Sequence, residues 1–134
     1  MKLIQYVTAY MALAALVKKE FPYETAYKIV SLKQRLAGKV DFYVAEEKKL
    51  VEKFAKKDAD GAVVTRGAEF FYKGETDEEI GENRRAFERA RAELGALDTG
   101  EEIEPITIRV PEDVRISPEA IEALDGIAVF EVIK

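Results

Sequence analysis

A chain of 134 residues with a net charge of −5 and neither His nor Cys excludes several chemistries at once. Its length fits a single domain over residues 1–134, and 48% hydrophobic with 35% charged residues describes a globular chain rather than a disordered one. There is no disulfide framework, thiolate nucleophile or Cys-ligated metal, and the usual general base near neutral pH is missing; the acidic balance argues against general nucleic-acid binding.

Residues 3–19 favour helix. Leu3, Tyr6, Val7, Tyr10, Leu13, Ala14 and Val17 make a wide apolar face, and Met11, Ala12, Ala15 and Leu16 extend it almost all round. A helix of that kind is buried in a core or in a subunit contact. Its β-branched and aromatic start leaves room for a short strand before Ala9. Lys2 ahead of an apolar run has the form of a signal peptide, but the run passes into Lys18-Lys19-Glu20 with no small-residue cleavage site. It falls short of the about 20 apolar residues of a membrane span. A buried helix is the better reading.

Phe21-Pro22 marks a boundary, since a residue before proline is pushed out of helical geometry. Pro22 to Lys57 then reads as one long helix. Ile29, Leu32, Leu36, Val40, Tyr43, Leu50 and Phe54 recur at spacings of three and four, with Glu47 in the one gap. A second stripe, Val30, Ala37, Val44 and Val51, implies a neighbour on another side. Gly38 predicts a kink or a close helix–helix contact.

Asp58-Ala59-Asp60-Gly61 is turn chemistry, and Ala62–Thr65 with Glu69–Tyr72 reads as a small hairpin around Arg66-Gly67. Thr76 followed by Glu79 resembles a capping box, so a third helix starts near Asp77 and ends around Gly95 to Gly100. Ile103 to Val110 alternates like a strand, with Pro105 implying an edge or a start. Ser117-Pro118-Glu119 opens a short helix to about Leu124, and Ile127 to Ile133 is strand-like. The expected fold is α+β and mostly helical: a long antiparallel helical hairpin, a small β-hairpin at its tip and short C-terminal strands.

Charge is uneven. Lys18 to Lys57 holds eleven Lys or Arg against six acids, and Glu75 to Glu104 four Arg against eleven acids. Packing the second helix on the third sets opposite fields side by side, which specifies pairing more than it stabilises.

Few constellations could carry chemistry. Asp58-x-Asp60-Gly61 resembles the start of a calcium loop, but its glycine comes too early and a plain turn is favoured. Asp77, Glu78, Glu79 and Glu82 could bind a hard cation such as magnesium; acids in a first helical turn also suit the helix dipole, which is the simpler reading. Arg84, Arg85, Arg89 and Arg91 form a basic patch, with Arg85 and Arg89 spaced to clamp a phosphate or carboxylate. The alternative is intrahelical pairing, Arg84 with Glu88 and Arg89 with Glu82 or Glu93. Phe70-Phe71-Tyr72 either offers an exposed partner anchor or covers the helix end near Phe54. The pairs Tyr6/Tyr10 and Tyr23/Tyr27 are expected to pack with their hydroxyls at a rim. No phosphate loop or nucleophile elbow is present.

Phe21-Pro22-Tyr23-Glu24-Thr25-Ala26-Tyr27-Lys28-Ile29, then Asp41-Phe42-Tyr43 through Glu46-Glu47-Lys48-Lys49-Leu50, Lys57-Asp58-Ala59-Asp60-Gly61 and Ile116-Ser117-Pro118 carry a resemblance. The chain is similar to small proteins encoded by phages and prophages of Gram-positive gut and soil bacteria. Those show an LP-x-K-x-AYK start, a long charged helix, an EKDE-x-G turn and a later ISP helix. The resemblance spans most of the chain and departs in the first twenty residues, which are more apolar here. It implies a phage context and a shared fold, and no activity.

The residues and the resemblance together lead to a non-catalytic interaction protein, an assembly or accessory factor in the host cytoplasm or the virion. It takes no cofactor or metal, spans no membrane and contacts a protein partner or a second copy of itself. Partner-binding candidates are Phe70, Phe71, Tyr72, Arg84, Arg85 and Arg89. Self-association candidates are Leu3, Tyr6, Tyr10, Leu13 and Val17. An inhibitor or sponge of a host defence system, binding a protein or a phosphorylated ligand, is the alternative, and a carboxylate–magnesium enzyme a third.

Overall fold

The computed structural model describes residues 1–133 as an α+β fold dominated by helix. α1 (Leu3–Val17) is helical from its first residues, so no strand precedes Ala9. The side chain of Gln5 accepts the Lys2 N–H at 2.7 Å and satisfies a donor at the helix start. α1 packs against α2 (Tyr23–Phe54), α3 (Asp77–Ala96) and α4 (Pro118–Ala123). It buries Leu3, Tyr6, Ala9, Leu13 and Leu16. Burial all round is not what results: Ile4, Met11 and Val17 face outward. Three neighbours cover one broad side of a helix and leave the apolar remainder open.

α2 follows its first stripe. Thr25, Ile29, Leu32, Leu36, Val40 and Tyr43 are buried, and towards Phe54 burial thins to half. The second stripe lacks the neighbour its spacing implies, since Val30 and Val44 are exposed. The helix ends at Phe54 rather than Lys57. Ala55 turns extended (ψ 144°) and bridges to Tyr72, and the Lys56 N–H donates to Phe71 O at 2.7 Å. Pairing with the hairpin offers these backbone groups partners that another helical turn would have to replace.

Gly38 is neither a break nor a contact. α2 runs through it, and nothing lies within 4 Å of where a Cβ would sit. The close approach is at Gly95, where an added Cβ would stand 3.2 Å from Ile4 Cβ and crowd α1.

Between α2 and α3, β1 (Thr65–Arg66) and β2 (Glu69–Phe70) pair antiparallel, Thr65 opposite Phe70 and Arg66 opposite Glu69. Gly67 turns the chain with φ +63°. Asp58 Oδ1 accepts the N–H groups of Asp60 and Ala62, so this segment is a side-chain-braced turn. Thr76 caps α3 by accepting the Glu79 N–H at 3.2 Å.

From Ile106 to Ile133 the chain forms a β-α-β unit. β3 (Ile106–Pro111) and β4 (Ala128–Ile133) run parallel, in register from Ile106–Ala128 to Pro111–Ile133, with α4 in the crossover. Ser117 caps α4 through the Ala120 N–H. Tyr6, Leu13, Leu16, Ile29, Leu32, Leu36, Ile108 and Leu124 meet in one core drawn from α1, α2, β3 and the end of α4. Residues 97–101 lace the chain start to this body: Leu3 N–H donates to Leu97 O at 2.8 Å, and Tyr6 Oη lies 3.2 Å from Thr99 Oγ1. Among the described residues, no helix is long and apolar enough to cross a membrane.

Candidate functional site

Side chains alternate along extended chain, so Phe70-Phe71-Tyr72 cannot all face one way. Phe70 and Tyr72 turn inward onto Phe87 of α3, at ring-centroid distances of 5.1 and 5.8 Å, and onto each other at 4.7 Å. Phe54, at the end of α2, meets Phe87 edge-on at 6.3 Å. Phe87 is thus the hub of a four-ring cluster apart from the main core. Phe71 remains 45% exposed. Two rings of the strip cover the helix end, and the third stays outside.

Beside the cluster lies a cleft of about 600 Å³ between hairpin and α3, lined by all three of these aromatics, by Arg66, Arg84 and Arg91, and by the carboxylates Glu47, Glu69 and Glu88. Arg84 Nε donates to Glu88 at 3.2 Å, and Arg91 Nε donates to Glu47 of α2 at 2.9 Å. Among the described residues, no carboxylate lies within 4.0 Å of Arg66. Burial, reinforced by Glu88, pushes the Tyr72 phenol above its ordinary pKa. Tyr72 therefore stays neutral, a hydrogen-bond donor rather than a nucleophile. Donating to the Tyr43 hydroxyl, and then the nearby Glu47 carboxylate, holds the Arg91 guanidinium further into its charged state. An aromatic wall beside guanidinium groups suits a planar or apolar group carrying an anion.

The site gathers Phe70, Phe71, Tyr72 and Arg84 of the expected partner-binding set. Arg85 and Arg89 are exposed on α3 and do not line the cleft; the Arg85 guanidinium folds back beside Gly81. The Arg84–Glu88 pair forms. Arg89 shows no ion pair with Glu82 or Glu93 among the described residues. Arg66, Phe87 and the pairing of Arg91 with Glu47 were missed. For α3 a signal existed: Arg84, Phe87, Glu88 and Arg91 recur at spacings of three and four, on one helical face. Arg66 had none, because only the hairpin register carries it to the cleft.

The expected self-association set divides. Leu3, Tyr6 and Leu13 are buried in the chain's own core, Tyr10 is half-buried with Lys33 over its ring at 5.1 Å, and Val17 is exposed. The large apolar side chains that α1 leaves open are instead Ile4, Met11 and Val17. Tyr23 and Tyr27 do not sit at a rim; they are 95% and 75% exposed. They begin a face two residues out of phase with Thr25, Ile29 and Leu32, which points it away from the core. No group of three or more carboxylates among the described residues is arranged to hold a metal.

Comparison with protein-family models, with curated proteins and with solved structures returns no match.

Proposed function

We propose that this is a non-catalytic interaction protein whose partner surface is the cleft between the β-hairpin and α3. The carrying observation is Phe71, an exposed ring that lines the cleft with Arg66, a guanidinium with no carboxylate partner among the described residues. Rings and arginines of this kind dominate protein interfaces because they bury much area at small entropic cost. The chain's lack of His and Cys supports binding over catalysis. On this reading α2, the hairpin and α3 form a helical hairpin with a β-tip that presents the cleft. A phage or prophage assembly or accessory role, in the host cytoplasm or the virion, rests on the sequence resemblance.

Arg66 gives an acidic or phosphorylated residue of a partner one cation to meet, while Arg84 and Arg91 would have to exchange Glu88 and Glu47 for it. This keeps the inhibitor or sponge reading as a second form of the same surface. Its arginines are Arg66 and Arg84, in place of Arg85 and Arg89.

Immobilised protein and two variants test the proposal by comparative capture from a host lysate. A specific partner is lost with Phe71→Ala plus Arg66→Ala and kept with Arg85→Ala plus Arg89→Ala. Capture unaffected by the first pair overturns the reading.

A further inference from the structure

At the start of α1 lies a second concavity, independent of the hairpin cleft. It measures about 670 Å³ and runs between α1 and α4. Its floor is apolar, with Ile4, Ile103 and Ile127. Its rim carries Glu102, Glu119, Glu122 and Asp125. No Lys or Arg of the described residues lies within 4.0 Å of any of these four carboxylates. An apolar floor with an acidic rim suits an apolar ring that ends in a hydrogen-bond donor, set in a basic surround.

The same chain displays such a surface. Tyr23 and Tyr27 lie one turn apart on α2 and are almost wholly in water, with exposed Val30 beside them. Nothing in the fold explains two tyrosines placed this way. Lys18 to Arg35 holds Lys18, Lys19, Lys28, Lys33 and Arg35 against Glu20 and Glu24, five cations to two acids. A phenol ring can lie on Ile4 and Ile103 while its hydroxyl donates to a rim carboxylate.

The tyrosines cannot reach the groove of their own chain. The groove uses Met1, Ile4 and Thr8 at the start of α1, whereas Tyr23 follows the far end of that helix. A 15-residue helix separates the two by roughly 20 Å.

We propose that the protein associates with itself, Tyr23 and Tyr27 of one copy docking into the acid-rimmed groove between α1 and α4 of another. Because patch and groove are different surfaces, each copy can both give a patch and receive one. This goes beyond the hairpin cleft and does not depend on it.

Light scattering across a dilution series, with complementary variants, tests it. Wild type is expected to exceed monomer mass at high concentration and to fall towards it on dilution. About 1 M NaCl, where the screening length drops to about 3 Å, should weaken the association. Tyr23→Ser plus Tyr27→Ser removes the patch, and Glu119→Lys plus Glu122→Lys reverses the rim. Each double variant alone should be monomeric, with an unchanged circular dichroism spectrum. Mixed together, they should form a 1:1 pair, since one retains the groove and the other the patch. A wild type that stays monomeric throughout overturns the proposal. So does association that both variants retain, or a mixture that stays monomeric. A groove that takes only a separately supplied basic peptide, with no self-association, also overturns it.

Discussion

Arg91 of α3 reaches Glu47 of α2 at 2.9 Å, and the polarity of this pair is the reverse of the surrounding fields. The basic helix supplies the acid and the acidic helix supplies the base. α2 and α3 lie side by side, and the hydrogen bond between them draws on the minority charge of each. Glu47, the one interruption in the α2 stripe, is thereby accounted for.

Both side chains are substantially exposed, so their mutual contribution is modest. Glu47→Gln and Arg91→Ala, combined in a double-mutant cycle by urea unfolding, should show coupling of about 0–1 kcal/mol. A coupling several times larger would mean that the pair is sealed from water.

The aromatic hub separates packed side chains from an exposed one. Phe87→Ala removes the ring against which Phe54, Phe70 and Tyr72 pack, and should cost about 3–5 kcal/mol. Phe71→Ala, at a half-open ring, should cost about 0.5 kcal/mol. Thermal melting distinguishes them: a large drop for the first and almost none for the second. Equal drops would make Phe71 part of the packing rather than a surface anchor.

Two glycines in helices should respond oppositely to alanine. At Gly38 the added methyl meets nothing, so the variant gains about 0.5–1 kcal/mol from helix propensity. At Gly95 it stands 3.2 Å from Ile4 Cβ, an atom fixed to the α1 backbone, so α1 must shift. Gly38→Ala should raise the melting temperature and Gly95→Ala should lower it. The reverse order would place the tight helix contact at Gly38 after all.

Acid should loosen the lacing between the chain start and residues 97–101. The Gly100 N–H, then the Met1 amino group, holds the Asp98 carboxyl below its usual range; a hydrogen bond from Lys39 does the same for Glu101. For carboxylates with lowered pKa the stabilisation is present above the unfolded value and lost as pH falls through the folded one. Lys39, raised by Glu101, behaves in the opposite sense and loses its share above its ordinary 10.5. The Lys39–Glu101 pair is therefore complete between about 4.5 and 10.5. Lys39→Met should flatten the fall in melting temperature between about pH 5 and about pH 2. An unchanged slope would remove Glu101 from the acid response.

What the sequence made legible is what local chemistry dictates. Ile29 to Tyr43 lie on one face because their spacing admits no other outcome, and Thr76 and Ser117 begin helices because their hydroxyls reach the N–H three residues on. What stayed hidden depends on distant partners. The early end of α2 goes with Phe71 O accepting the Lys56 N–H and Phe54 O accepting the Lys73 N–H, and the parallel pairing of Ile106–Pro111 with Ala128–Ile133 is a choice between strands of similar composition. At the cleft, Phe70 to Tyr72 stood out as consecutive aromatics, and Arg84 stood out within a dense arginine run. Arg66 joined them only through a turn, and Arg85 and Arg89 left because α3 presents a different face.

α2 belongs to two regions of unequal strength. Its 32 residues extend about 48 Å, and its buried positions stop at Tyr43, with the satellite ring cluster, the Glu47–Arg91 pair and backbone bonds to the hairpin holding the far end. A single helix can therefore be held tightly along one half and breathe along the other. Amide hydrogen exchange should trace that gradient along α2, slow around Leu32 and Leu36 and faster beyond Leu50. A ligand that closes on the hairpin then tightens a segment already prone to open, and some of its binding free energy goes into stiffening that half of the rod.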